Sequence, residues 1–290
     1  MNVLITGHTG FVGSNFLSKS HDFKCIGCDL LIHKVSEIDF KGVDTVLHLS
    51  ALVHQMKGAP EELYFEVNRD LAFNVAKRAK ELGVKQFILM STSKVYGESS
   101  SKNSYWDETS TCNPTDPYGK SKLEAERLIC DIADENFKVA IIRSPLVYGV
   151  GVKANMLNLV KLIDKFPLLP LGGIQNSRSM VYIGNLIALI DNIINQQVSG
   201  IFIAGDQSPL TTTRLVQYIS CGLEKKRFFF KLPYLIIKLA GVIKPTFVAR
   251  LFGSLVLDNS NTNKILKFTP PFTSEEGVIE MVKWYKVNLK

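Results

Sequence analysis

Apolar and polar positions follow two rhythms along the first half of the chain. Short apolar runs at Val3–Thr6, Phe23–Cys28, Val43–Leu49, Gln86–Ser91 and Lys138–Arg143 are too brief for helices and rich in β-branched residues. Such runs are the pattern of strands in a covered sheet. Between them, Phe11–Lys19, Glu61–Leu82 and Pro117–Asn136 carry apolar residues at helical spacing. Gly83 ends the second helix and Pro117 opens the third, positions both residues favour. The alternation predicts an α/β fold, a Rossmann-type doubly wound parallel sheet with ligands at the C-terminal ends of its strands.

After about residue 145 the rhythm changes. Ala154–Lys165 reads as a helix, Leu168–Gly173 as a Pro/Gly-rich loop, Met180–Ile183 as a short strand and Gly184–Asn195 as a helix. Gly200–Ala204 reads as one more strand of the main sheet, and the remainder as short helices and loops. The expected organisation is a dinucleotide-binding domain over 1–150, rejoined by roughly 179–204, and a smaller interleaved C-terminal substrate lobe over 151–178 and 205–290.

The stretch Phe228–Leu257 is the most apolar of the chain, but Lys231, Pro233, Lys238, Lys244, Pro245 and Arg250 interrupt it. No run reaches the ~18 residues of a spanning helix. It reads as two short helices packed on the second lobe, with a membrane-surface helix as the alternative.

Composition adds three constraints. The 290 residues carry a net charge of +7, with the lysines scattered, which favours a small anionic ligand over nucleic acid. The chain opens as a strand running into a glycine loop, so the sequence reads as cytoplasmic and reduced, without a signal peptide. Cys25 and Cys28 form a C-x-x-C, but no second pair follows at zinc spacing, and they read as strand filler.

The glycine loop is the first candidate for chemistry. Gly7, Gly10 and Gly13 stand at G-x-x-G-x-x-G spacing between the first strand and helix, with Phe11 and Val12 opening that helix. Such a loop turns tightly, lets backbone approach a pyrophosphate and leaves helix N–H groups facing it. Asp29, followed by Leu30, ends the second strand where a carboxylate takes an adenosine ribose. That favours NAD over NADP, although His33 and Lys34 could offset repulsion of a 2′-phosphate.

Tyr118 and Lys122 lie four apart at the start of the third helix and share a face. A tyrosine normally titrates near 10, and a nearby cation favours its phenolate, so Lys122 is expected to lower the Tyr118 pKa. Thr92 follows the fourth strand at the crevice edge and is the candidate to bond a substrate oxygen, with Ser91 and Ser93 as neighbours.

These motifs resemble the extended short-chain dehydrogenase/reductases, the NAD-dependent epimerase/dehydratase type. The residues carrying the resemblance are the glycine loop, Asp29, His48-Leu49-Ser50-Ala51, Asn68, Thr92 before Val95-Tyr96-Gly97, Tyr118 to Lys122, and Arg178 before Val181-Tyr182-Ile183. The resemblance implies that Tyr118 is the acid/base, that Lys122 orients the nicotinamide ribose, and that Thr92, with Ser93, meets the sugar. Leu49, Ser50, Ala51, Asn68 and Pro145 would line NAD or NADP. Asn155 and Arg178 would hold a nucleotide diphosphate and Asp258 the nucleoside ribose. A homodimer paired through the helices at Glu61–Leu82 and Pro117–Asn136 is implied as well.

Two departures narrow the reaction. Sugar-nucleotide dehydratases of this family carry Asp-Glu after the Thr, and this chain has Ser93 and Lys94, which argues against dehydration. Leu146 stands where an amide usually faces the sugar, which suits a deoxy sugar. Arg143–Tyr148, Pro170–Gly173 and Arg250–Leu255 are similar to a bacterial branch of UDP-sugar 4-ketoreductases often labelled UDP-glucose 4-epimerases. The expectation is reduction of a UDP-4-keto-6-deoxy-N-acetylhexosamine for surface polysaccharide. The alternatives are a UDP-glucose or UDP-GlcNAc 4-epimerase and a non-catalytic NAD(P) sensor.

Overall fold

The computed structural model describes residues 1–53, 59–98, 105–233, 248 and 251–289. Lys238, Lys244, Pro245 and Arg250 of the apolar stretch lie outside the described residues.

Six parallel strands form the main sheet: β1 (Asn2–Thr6), β2 (Lys24–Cys28), β3 (Thr45–His48), β4 (Gln86–Thr92), β5 (Lys138–Ser144) and, after two intervening segments, Gly200–Ile203. Their order is β2-β1-β3-β4-β5 followed by Gly200–Ile203, so the late strand rejoins the sheet beside β5. The order in which strands are added reverses between β1 and β3, which places the ligand crevice of an open parallel sheet there. Alternate strand residues enter opposite layers. Val3, Ile5, Leu47, Ile88 and Ile142 belong to one core, and Leu4, Val46, Phe87, Leu89 and Ile141 to the other. Both faces are therefore dry, as the apolar runs predict.

Helices α1 (Phe11–Leu17), α2 (Glu61–Phe65), α3 (Ala72–Glu81) and α4 (Pro117–Asp131) stand in the first half. The helix predicted over Glu61–Leu82 is present from Glu61 to Glu81 but is not α-helical throughout. Glu66–Leu71 forms a π turn between α2 and α3. At its centre the Asn68 amide is buried, donating to Leu52 O (3.0 Å) and accepting from Leu52 N (2.8 Å), bonds made outside the helix.

The second half holds β6 (Leu146–Tyr148), α5 (Ala154–Lys165), β7 (Leu168–Leu169), β8 (Met180–Tyr182), α6 (Ile183–Gln196), β9 (the sheet strand Gly200–Ile203), α7 (Thr212–Gly222), β10 (Phe228–Phe229), α8 (Ser260–Leu266) and α9 (Ser274–Asn288). β6 pairs with β8 and β7 with β10, both parallel. Two readings are corrected. The C-terminal remainder includes a full 15-residue helix, α9, opened by the reciprocal Thr273–Glu276 capping box. The stretch read as two short helices from Phe228 begins as strand β10 instead.

Candidate active site

The crevice is built first from glycine. Gly7 has φ +66°, and a Cβ there would lie 2.7 Å from Ser50 N and 2.8 Å from the Leu49 carbonyl carbon. A Cβ on Gly13 would lie 2.5 Å from Gly7 O. Only glycine lets the loop, the start of α1 and the Leu49–Ala51 segment come this close. Gly10 caps α1 without a side-chain hydrogen bond and no acid stands in the first turn, where Phe11 and Val12 begin the helix. Its N–H groups are thus not neutralised from within. Asp29 is partly exposed at the end of β2, its Oδ1 accepting from Leu31 N at 2.9 Å, while Leu30 packs toward the core. Leu49, Ser50 and Ala51 are half-buried at the same crevice. This cradle fits a dinucleotide.

The catalytic candidates converge beside it. Thr92 ends β4 beside the Tyr118 phenol, and its hydroxyl accepts from Lys94 N at 3.2 Å. Tyr118 is held by the start of α4. Asp116 caps that helix, accepting from Gly119 N at 2.7 Å, and Lys94 Nζ pairs with the other Asp116 oxygen. A Cβ on Gly119 would lie 2.8 Å from Lys94 O, so glycine lets α4 sit directly on the turn that follows β4. Lys94 thus fastens the helix that carries Tyr118. Lys94 and Asp116 are positioning groups missed from sequence, although an Asp before Pro117 is a readable helix cap. Ser93 is buried in the same turn.

The charges differ from expectation. Burial pushes the Tyr118 phenol up to about 12, the Thr92 hydroxyl opposes this, and Asp116 adds to the rise. Lys122 does not lower it in the protein alone, because its own charge is penalised: burial pulls Lys122 down to about 8, with Glu126 opposing. Lys122 is 1% exposed and its Nζ has no hydrogen-bond partner among the described residues. An orphaned ammonium at the floor of a crevice needs an external acceptor, and a ribose hydroxyl pair would serve.

A buried frame supports that lysine. Glu126 forks to Arg143 (Oε2 to Nη2 2.7 Å), accepts from Ser91, and lies one turn beyond Lys122. Arg143 also donates to Tyr96 Oη at 2.9 Å. His48 is fully buried, its Nδ1 3.0 Å from Thr6 Oγ1 and its Nε2 unpartnered; burial and then Lys122 hold its pKa down to about 3, so it is neutral. Asn68 also donates to Ser121 Oγ at 3.1 Å, tying the Leu52 backbone to α4. Its amide is therefore engaged with protein rather than facing the crevice.

The residues expected to meet substrate are more dispersed. Pro145 is buried, whereas Leu146 is 49% exposed at the start of β6. Asn155 is exposed in the first turn of α5. Arg178 donates to Gly253 O at 3.0 Å and bridges Leu210 and Leu255. Asp258 borders the same segment: its N–H donates to Trp106 O (2.8 Å) and its Oδ1 caps Ser260. Surface clefts of about 380 and 530 Å³ lie elsewhere, along α7 and β10. The chemistry of Thr92, Tyr118 and Lys122, rather than cavity size, locates the site.

Comparison with known proteins decides the family. The NAD dependent epimerase/dehydratase profile matches residues 3–205. The chain belongs to that family. It is accordingly an NAD(P)-dependent enzyme with a Rossmann fold acting on nucleotide sugars. It is 36% identical over 95% of its length to the UDP-glucose 4-epimerase of Vibrio cholerae, covering 93% of that protein. It is 29% identical over 80% of its length to the N-acetyl-α-D-glucosaminyl-diphospho-ditrans,octacis-undecaprenol 4-epimerase of Escherichia coli O157:H7, covering 76% of it. Among solved structures, UDP-glucuronic acid 4-epimerase from Bacillus cereus in complex with NAD superposes with TM-score 0.76 at 20% identity, over 99% of both chains. RMD from Pseudomonas aeruginosa with NADPH superposes with TM-score 0.81 at 14% identity, over 99% of this chain and 100% of that one. At these identities the superpositions speak to the fold. Among the described residues no helix is long and apolar enough to cross a membrane.

Proposed function

We propose that this enzyme performs hydride and proton exchange at C4 of a UDP-linked hexose. The observation that carries the reading is the buried Lys122 Nζ, unpartnered among the described residues, one helical turn from Tyr118, which stands beside Thr92. Tyr118 exchanges the proton on O4, Thr92 orients that oxygen, and Lys122 holds the cofactor ribose. When bound, the nicotinamide accepts or supplies the hydride. Its positive charge in the oxidised form would oppose the burial that raises the tyrosine pKa. Asp29 favours NAD over NADP. Arg178 and Asn155 are assigned to the diphosphate and Asp258 to the nucleoside ribose. The second lobe is assigned to substrate, with action in the cytoplasm as a homodimer paired through α2–α3 and α4.

Within that reading we favour reduction of a UDP-4-keto-6-deoxy-N-acetylhexosamine. The segment after Asp29 is open, with Leu31 97% and Ile32 73% exposed, which suits a cofactor that leaves after each turnover. Leu146 offers an apolar wall to a deoxy sugar. A 4-epimerase is the second reading, favoured by the similarity to the two 4-epimerases of Vibrio cholerae and Escherichia coli. The test is oxidation of NADH and NADPH with the 4-keto sugar, followed by NMR of the product. Inversion of UDP-GlcNAc or UDP-glucose by protein given no added cofactor refutes the reductase. Full activity of Tyr118→Phe refutes both readings.

A further inference from the structure

The small β7–β10 ribbon has apolar side chains on both faces. Its inner face is ordinary: Leu169 is buried in the main core and Phe229 packs against it. Its outer face is not. Phe228 pairs with Leu168 in parallel register, and Phe166 and Phe230 stand two residues from them along extended backbone. Period-two geometry turns all four outward. They are exposed by 70% (Phe228), 59% (Leu168), 43% (Phe166) and 43% (Phe230). A solvent-facing ribbon would carry polar residues here.

Cations flank these residues in sequence. Lys165, Lys226 and Lys231 are exposed, and Lys165 Nζ lies 5.4 Å from the Phe166 ring centre. The nearby acids are matched by other cations, Asp164 by Lys225 (2.5 Å) and Glu224 by Lys286 (3.1 Å). The bias continues in the sequence: from Lys225 to Leu257 there are seven Lys or Arg and no Asp or Glu. The cations that look scattered along the whole chain are densest in sequence along its most apolar stretch, with no acid between them.

We propose that the outer face of the β7–β10 ribbon docks on an anionic lipid bilayer, inserting Phe228, Phe230, Leu168 and Phe166 at the headgroup level. Aromatic and aliphatic side chains reach the acyl boundary, while lysines on long stems stay with lipid phosphates. The charge complementarity selects this occupant. A second copy of the chain seated here by two-fold symmetry would set the lysines against their own counterparts. Interfacial docking needs no spanning helix, and it does not depend on which sugar the active site turns over.

The experiment is co-sedimentation of the full chain with phosphatidylcholine vesicles, with and without about one third phosphatidylglycerol. The native chain is expected to partition onto the anionic vesicles at low salt and to weaken as salt rises. Phe228→Ser/Phe230→Ser is expected to lower partition about tenfold or more, and Lys226→Glu/Lys231→Glu about fivefold per cation removed. Both variants should keep native turnover of a soluble nucleotide sugar and a native melting transition, because the four positions are exposed and outside the catalytic crevice. Failure of the native chain to bind anionic vesicles overturns the proposal. So does equal binding by the Phe228/Phe230 variant. A native dimer that this variant converts to monomer also overturns it, by assigning the face to self-association.

Discussion

Removing Arg143 is the sharpest test of the buried frame under the active site. Arg143 and Glu126 side chains are 5% and 4% exposed, and three guanidinium–carboxylate hydrogen bonds of 2.7–3.3 Å join them. Arg143→Met leaves a buried carboxylate without the guanidinium it is paired to, a defect that costs about 3–5 kcal/mol. Removing both charges in Arg143→Met/Glu126→Leu avoids that penalty. The remaining cost is about 1–3 kcal/mol, from Tyr96 and Ser91 losing partners. The double variant is therefore expected to be more stable than Arg143→Met. Urea unfolding followed by tryptophan fluorescence reads this directly, since Trp106 stacks on Tyr96 at 5.5 Å. The pair also reaches the chemistry. Glu126 opposes the burial that lowers Lys122, so losing its charge moves the Lys122 pKa further below about 8. The alkaline limb of the rate profile should then shift to lower pH in Glu126→Leu. A cost below about 1 kcal/mol for Arg143→Met refutes the reasoning, as does a double variant whose cost equals the sum of the singles.

Lys122 makes a pH signature with a definite sign. Its pKa falls from 10.5 unfolded to about 8 folded, so between those values the unfolded chain holds a proton that the folded chain has released, and stability rises with pH. Lys122→Met should abolish that rise in denaturation series across the window and sharply lower kcat; an unchanged slope would place the titration elsewhere. Gly13→Val puts a side chain 2.5 Å from Gly7 O and 2.6 Å from His8 Cα. It should cost about 2 kcal/mol or more and weaken dinucleotide binding more than tenfold. Native affinity in an NADH fluorescence titration would contradict the glycine cradle.

The Rossmann half was readable because its cues are local. A strand covered on both faces shows itself in residues such as Val3 to Ile5, and a glycine loop directly after it announces the crevice. The features that escaped are tertiary. The π turn at Asn68 exists through bonds to Leu52, sixteen positions away, which no helical periodicity encodes. β6, β7 and β10 are two or three residues long and acquire strand character only from their partners. Helix α9 went unread although Thr273 and Glu276 spell out a capping box. Tyr118 and Lys122 were found by spacing, but spacing carries no dielectric information. It indicated that the two share a face and was silent on the burial that sets both of their proton affinities.

The Asn68 clamp has a mechanical consequence. One amide fastens the backbone of Leu52, just past Leu49–Ala51, and the Ser121 hydroxyl, one residue from Lys122. Ser121 in turn donates to the Tyr118 carbonyl at 2.9 Å. The Leu49–Leu52 segment and the helix that carries Tyr118 and Lys122 are thus hinged on a single shared rivet, and neither can breathe alone. Amide protons of the Leu49–Leu52 segment and of the first turns of α4 should exchange as one cooperative block, and filling one end of the crevice should slow exchange at the other.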